Sequence, residues 1–191
     1  MKNKNLNLWI CSFIIMGFVI IISSCKKDST TEEKPTYTIG QTYAGGIIFY
    51  IDATKLHGFV CAPSDQATDA FWWNGSNITT NAIGSAMGTG KANTDSIVAK
   101  QGVGSYAAQI CKDLVLNGYD DWYLPSKSEC FNMYFNLKTM RGLGNFADTL
   151  YWSSTEASIG NAYSQYSNDG YPPNGGYYKN TPHYVRAIRN F

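Results

Sequence analysis

Charge is scarce in this sequence: Lys, Arg, Asp and Glu make up 15% of its 191 residues, and the whole chain carries a formal +1. It has no polybasic run and no acidic tail, which excludes the electrostatic footprint of a nucleic-acid binder. Histidine is scarcer still, with only His57 and His183. Both stand in turn-like contexts without a Gly-x-Ser-x-Gly elbow, so a nucleophilic triad is hard to assemble. Nor do His and Cys occur at the short spacings that zinc requires. Internal repeats are missing, and no apolar run reaches the ~20 residues needed to cross a bilayer.

What is abundant is aromatic and flexible: 14 Tyr, 5 Trp and 18 Gly. With 44% apolar residues the chain can bury one core, and domains of ~100 to 200 residues make a single globular unit the expectation. That mix suits an extracellular binding surface better than a cytosolic enzyme.

The first residues read as a secretory leader. Lys2 and Lys4 give a basic start, Leu8 to Ile22 is apolar except for Ser12 and Gly17, and Ile22-Ser23-Ser24-Cys25 follows. The apolar run is too short for a membrane span and ends in small residues and a thiol. Ile22-Ser23-Ser24-Cys25 resembles the lipobox of bacterial lipoproteins, which implies a signal peptide at 1–24 and lipid on Cys25, with the membrane as partner. The residue just after Cys25 is Lys26, not the Asp that often retains lipoproteins in the inner membrane, so the outer membrane is expected, with display on the exterior as an extension. Residues 25–36 are charged and Ser/Thr-rich without apolar periodicity, the composition of a tether. The globular domain is expected at 37–191.

Within it, Ile47–Ile51 and Phe59–Ala62 read as a hairpin. Residues 63–100 show no sustained period and read as long irregular structure around Phe71-Trp72-Trp73. Apolar positions from Ser105 to Asn117 recur at three and four, predicting a helix that Gly118 ends. A second helix is predicted from Ser126, because Ser126-Lys127-Ser128-Glu129 has capping-box spacing. Strands follow at 151–155, 162–167 with a turn at Asn168-Asp169-Gly170, 177–179 and 184–189. The fold class is α+β, two helices on small antiparallel sheets with long irregular loops.

Several blocks together resemble one family: Gly45-Gly46-Ile47-Ile48-Phe49-Tyr50, Ala62-Pro63-Ser64-Asp65-Gln66, Gly88-Thr89-Gly90-Lys91-Ala92-Asn93-Thr94, Asn117 to Ser126 with Glu129, Tyr151 to Glu156, and Tyr184 to Arg189. Over roughly 40–191 the sequence is similar to the Lcl C-terminal domain family, found in bacterial surface and secreted proteins. The resemblance implies a C-type lectin-like fold, and the member that gives the family its name, a collagen-like adhesin, binds sulfated glycans through this domain. The Gly-X-Y repeats of that adhesin do not occur here. Neither do the Glu-Pro-Asn, Gln-Pro-Asp and Trp-Asn-Asp runs with which calcium-dependent lectins hold sugar.

The expected function is therefore a non-catalytic, lipid-anchored module, without a cofactor, that recognises carbohydrate or another surface ligand in adhesion or capture; the alternative is an envelope structural or assembly protein that binds a protein partner. Trp72, Trp73 and Asn74 are the candidate ligand contacts, with Asn77 and Asn81 beside them. Two adjacent indoles in a Gly- and Asn-rich loop are hard to bury together. Arg189, with Lys179, Arg141 and Lys138, is the candidate for a basic patch that receives sulfate or carboxylate groups of an anionic glycan, since guanidinium forks match such groups. Asp120, Asp121, Glu129 and Glu156 carry two readings: a hard-cation site, or turn, cap and ion-pair duties in which Glu156 pairs with Arg186 or Arg189. Trp122 and Trp152 are expected in the core. So are Cys111 and Cys130, while Cys61, Cys111 and Cys130, being odd in number, leave at least one thiol unpaired. They do not form the copper-binding pattern on which catalytic relatives of the lectin-like fold rely.

Overall fold

The computed structural model describes residues 35–167 and 175–191, within a compact unit running from Pro35 to Phe191. The leader, Cys25, nearly all of the expected tether and the turn at 168–170 lie outside the described residues. The described part is an α+β fold of three helices and two small, mostly antiparallel sheets.

The first sheet has the order β1 (Thr42–Tyr43), β2 (Gly46–Ile51), β3 (Gly58–Cys61) and β9 (Ile188–Asn190), so the first and last strands belong to one sheet. The second has the order β4 (Ala67–Ala70), β8 (His183–Val185), β5 (Leu150–Glu156), β6 (Asn161–Tyr166) and β7 (Gly176–Tyr178). Only the β5–β8 pair is parallel.

Side chains alternate across a strand, and here neighbouring residues feed two different cores. Ile48, Val60, Trp122, Leu124, Trp152 and Ala187 enter one cluster. Phe49, Cys61, Tyr123, Tyr151 and Ile188 enter the other. Burial on both faces explains why β2 reads as an unbroken apolar run, Ile47-Ile48-Phe49-Tyr50-Ile51, instead of an alternating one.

Helices are α1 (Gly90–Gln101), α2 (Ala107–Lys112) and α3 (Lys127–Tyr134), the last continued by a π-helical stretch, Phe135–Thr139. The capping box of α3 is formed: Ser126 Oγ accepts from Glu129 N at 3.3 Å, and Ser126 N donates to Glu129 Oε2 at 2.7 Å. Helix α2 is shorter than its apolar stripe predicts. Past Lys112 the chain turns, with Asn117 at φ 53° and Gly118 at φ 83° closing a bridge between Leu116 and Tyr119.

Two elements correct the expectation of an irregular stretch over 63–100. Strand β4 pairs with β8, and α1 buries Gly90, Asn93, Thr94 and Ile97. That face keeps helical spacing but is written mostly in glycine and polar residues. Asn93 holds Gly84 through both its amide atoms, and Thr94 Oγ1 bonds both backbone groups of Leu124.

Gly90 is where α1 meets the cap of α3. A Cβ there would lie 2.2 Å from Glu129 Oε2, 2.8 Å from Ser126 N and 2.9 Å from Leu124 O. Alanine in place of glycine usually favours a helix by up to ~1 kcal/mol. Here we expect the opposite sign, with Gly90→Ala lowering stability by about 2 kcal/mol through overpacking, read from the urea midpoint.

The single strand expected over 184–189 is in fact two. The chain leaves the second sheet after Val185 and enters the first at Ile188. The change of sheet at Arg186-Ala187 breaks the alternation that would have left one arginine outside. Arg186 and Arg189 are both buried, at 1% and 8% exposure.

Candidate functional site

A groove runs along β4 and the loop after it. One lobe, about 650 Å³, is lined by Asp65 through Phe71 with Ser105 and Ile110. A second, about 510 Å³, is lined by Phe71, Trp73, Asn74, Gly75, Ser105 and Asn180. The lobes share Phe71 and Ser105, so they form one continuous surface.

The aromatic trio is sorted by its backbone. Phe71 and Trp73 line the groove, Phe71 exposed and Trp73 half-buried, while Trp72 between them points inward at 1% exposure. Trp72 Nε1 donates to Ser153 O at 2.9 Å. The expectation that Trp72 is a ligand contact is thereby corrected, since its ring is part of the core and a ligand does not reach it. Trp122 and Trp152 are core as well, their indole N–H groups donating to Tyr119 O and Ala70 O.

Asn74 lines the groove, but its side chain also builds the loop: Nδ2 donates to Gln101 O at 3.1 Å and Val103 O at 3.0 Å. The backbone of Gly104 comes so close that a Cβ would sit 2.1 Å from Asn74 Oδ1. Asn77 and Asn81, the other two amides, are exposed and are not among the groove's lining residues.

The basic patch does not form, because its members are engaged separately. Arg189 grips Asp121 with two bonds, Nε to Oδ1 at 2.6 Å and Nη2 to Oδ2 at 3.0 Å, and lies over the Tyr119 ring at 3.8 Å. Its guanidinium holds the Asp121 carboxyl below the usual range. Lys138 pairs with Asp148, and Arg141 donates to Asn136 O.

Lys179 is buried at 1% exposure under the Trp72 ring, 4.5 Å from its centroid. Its Nζ reaches Glu156 Oε1 at 2.5 Å, Ile159 O at 2.9 Å and Ile78 O at 3.1 Å. Glu156 in turn accepts from Thr80 N and Asn81 N. Glu156 therefore pairs with Lys179, not with Arg186 or Arg189. Arg186 instead takes Asp65, Nε to Oδ1 at 2.7 Å.

The cation-site reading of the acids fails for the same reason. Besides Glu156 and Asp121, Glu129 is occupied by the backbone N–H groups of Ser126 and Gly88, and burial raises its pKa above the ordinary glutamate value. Among the described residues no three of His, Cys, Asp and Glu gather where they would hold a metal ion. Cys61, Cys111 and Cys130 are all buried free thiols, and burial pushes Cys61 up to about 12.

His183 stacks on Trp152, ring centroids 4.1 Å apart, with Nδ1 2.8 Å from Ser164 Oγ. Burial pushes its pKa down to about 4. The unfolded chain takes up this proton near pH ~6.5 and the folded one only near its lower value. The stability it contributes is thus complete above the unfolded pKa and is lost as pH falls through the folded one. After discounting for partial solvent access, we expect a loss of about 2 kcal/mol, measured as the difference in urea midpoint between the wild type and His183→Gln at pH 7 and pH 4.

No family model matches the chain, and no curated protein matches it either.

Proposed function

We propose that the chain is a cell-envelope lipoprotein, exported behind residues 1–24 and held through lipid on Cys25 in the outer membrane. Its domain over 37–191 acts as a C-type lectin-like, non-catalytic module that recognises carbohydrate. The observation that carries this reading is the two-lobed groove, in which Phe71 and Trp73 stand beside Asp69, Ser105 and Asn180. Aromatic faces meet the C–H faces of sugar rings, and a few placed polar groups set their orientation. The resemblance to the Lcl C-terminal domain family over 40–191 supports the same reading. So does the meeting of the first and last strands in one sheet beside a second small sheet.

The test is a glycan array probed with the full chain in detergent, with calcium and with chelator. We expect binding in both arms, since Asp121, Glu129 and Glu156 already have partners. Trp73→Ala should weaken it at least tenfold, in line with the loss of a ring stack of ~1.4 kcal/mol or more.

A second reading, docking of a protein partner, is favoured by Tyr166, Tyr177 and Tyr178, exposed at 40%, 40% and 69% near the open edge made by β7. Enzymatic stripping of glycans from the target cells separates the two. Binding that survives it belongs to a protein partner.

A further inference from the structure

The carbohydrate-binding reading leaves the sugar class open, and the charges around the groove narrow it. The lining residues include two carboxylates, Asp65 and Asp69, and no cation. Asp65 is already compensated: Oδ1 accepts from Arg186 and Oδ2 from Tyr151 Oη at 3.0 Å. Asp69 is exposed, and among the described residues no cation pairs with it. Of the cations close in sequence to groove residues, Lys179 lies beneath Trp72, Arg186 behind Asp65, and Lys112 pairs with Asp95, while the exposed Lys100 is not among the lining residues.

Both lobes fall within the ~300 to 1,000 Å³ of small-molecule sites, and Phe71, 43% exposed, is shared by the two. A ring stacked on Phe71 has room for a neighbour on either side. Asp69 can accept hydrogen bonds from sugar hydroxyls, and a carboxylate with no counter-charge repels sulfate.

We infer that the groove takes an uncharged oligosaccharide, laid across Phe71 with rings in both lobes, and turns away sulfated and uronic-acid polymers. The inference rests on the carbohydrate-binding reading above and departs from the sulfated ligands of the member that gives the resembled family its name.

The experiment compares binding of the full chain in detergent to neutral polymers (dextran, mannan, laminarin, xyloglucan) with binding to heparin and chondroitin sulfate, at physiological ionic strength. The expected result is that at least one neutral polymer binds ten times or more tightly than either sulfated one, and that its fragments gain affinity from one ring to three. Phe71→Ala should cut that binding at least tenfold with an unchanged melting temperature, and Asp69→Lys should raise heparin binding. Tighter binding of heparin by the wild type, abolished by Phe71→Ala, would overturn the inference while keeping the carbohydrate module. Neutral binding indifferent to Phe71→Ala would overturn the placement in this groove. Binding of no polymer in either class would overturn the carbohydrate reading itself.

Discussion

Lys179→Met is expected to lower the unfolding free energy by about 3 to 5 kcal/mol, the cost of leaving a buried charge without its partner. The Lys179 ammonium is surrounded by one carboxylate, two carbonyls and an indole face, and the side chains of Lys179 and Glu156 are 1% and 4% exposed. Removing it strands the Glu156 carboxylate in a dry site and frees Ile78 O and Ile159 O from their donor. The double variant Lys179→Met, Glu156→Gln should be milder than Lys179→Met alone, because the amide oxygen still accepts from Thr80 N or Asn81 N without a net charge. Urea titration followed by tryptophan fluorescence gives all corners of the cycle. Equal loss for the single and double variants would mean that packing of the lysine stem, and not the charge, is what matters.

The adjacent tryptophans should separate cleanly. Trp72→Ala removes a ring at 1% exposure with a satisfied N–H, and we expect a loss of about 3 to 5 kcal/mol. Trp73→Ala, at a half-buried groove position, should cost under about 1 kcal/mol of stability and act on ligand binding instead. Because Trp72 lies over the Lys179 ammonium, its effect and that of Lys179→Met should not add. A thermal melt of each variant decides this. A Trp72→Ala protein as stable as the wild type would show that the loop is not anchored by its indole.

Where the sequence carried apolar period or capping chemistry, the fold was legible. The hairpin of β2 and β3, the box at Ser126 and Glu129, and the strands β5 to β7 stand where the residues predict them. Helix α1 was hidden because Gly90, Asn93 and Thr94 fill most of its buried face and Ile97 is the one aliphatic residue buried with them, and hydrophobic pattern is blind to a face satisfied by hydrogen bonds. Strand β4 was hidden by its length of four residues and its exposed Thr68 and Asp69. Ion-pair partners such as Asp65 with Arg186 lie 121 positions apart, a separation at which spacing says nothing. Of the candidate contacts, Trp73 and Asn74 do line the groove, while Trp72 and Arg189 do not. The three neighbours Phe71, Trp72 and Trp73 lie past the end of β4, where the chain bends, so no strand period tells which of them turns inward.

The division of the final segment between two sheets bears on the order in which the protein is made. Strand β8 sits between β4 and β5, and β9 completes the other sheet beside β3. Until residues 183–191 have been made, β4 lacks its partner β8 and β3 lacks its partner β9. A nascent chain short of that point can form local helices, the β1–β2–β3 strands and the β5–β6–β7 strands, but it lacks the segment that joins β4 to β5 and adds β9 to β3. A premature stop before His183 therefore leaves both sheets without a strand that they need.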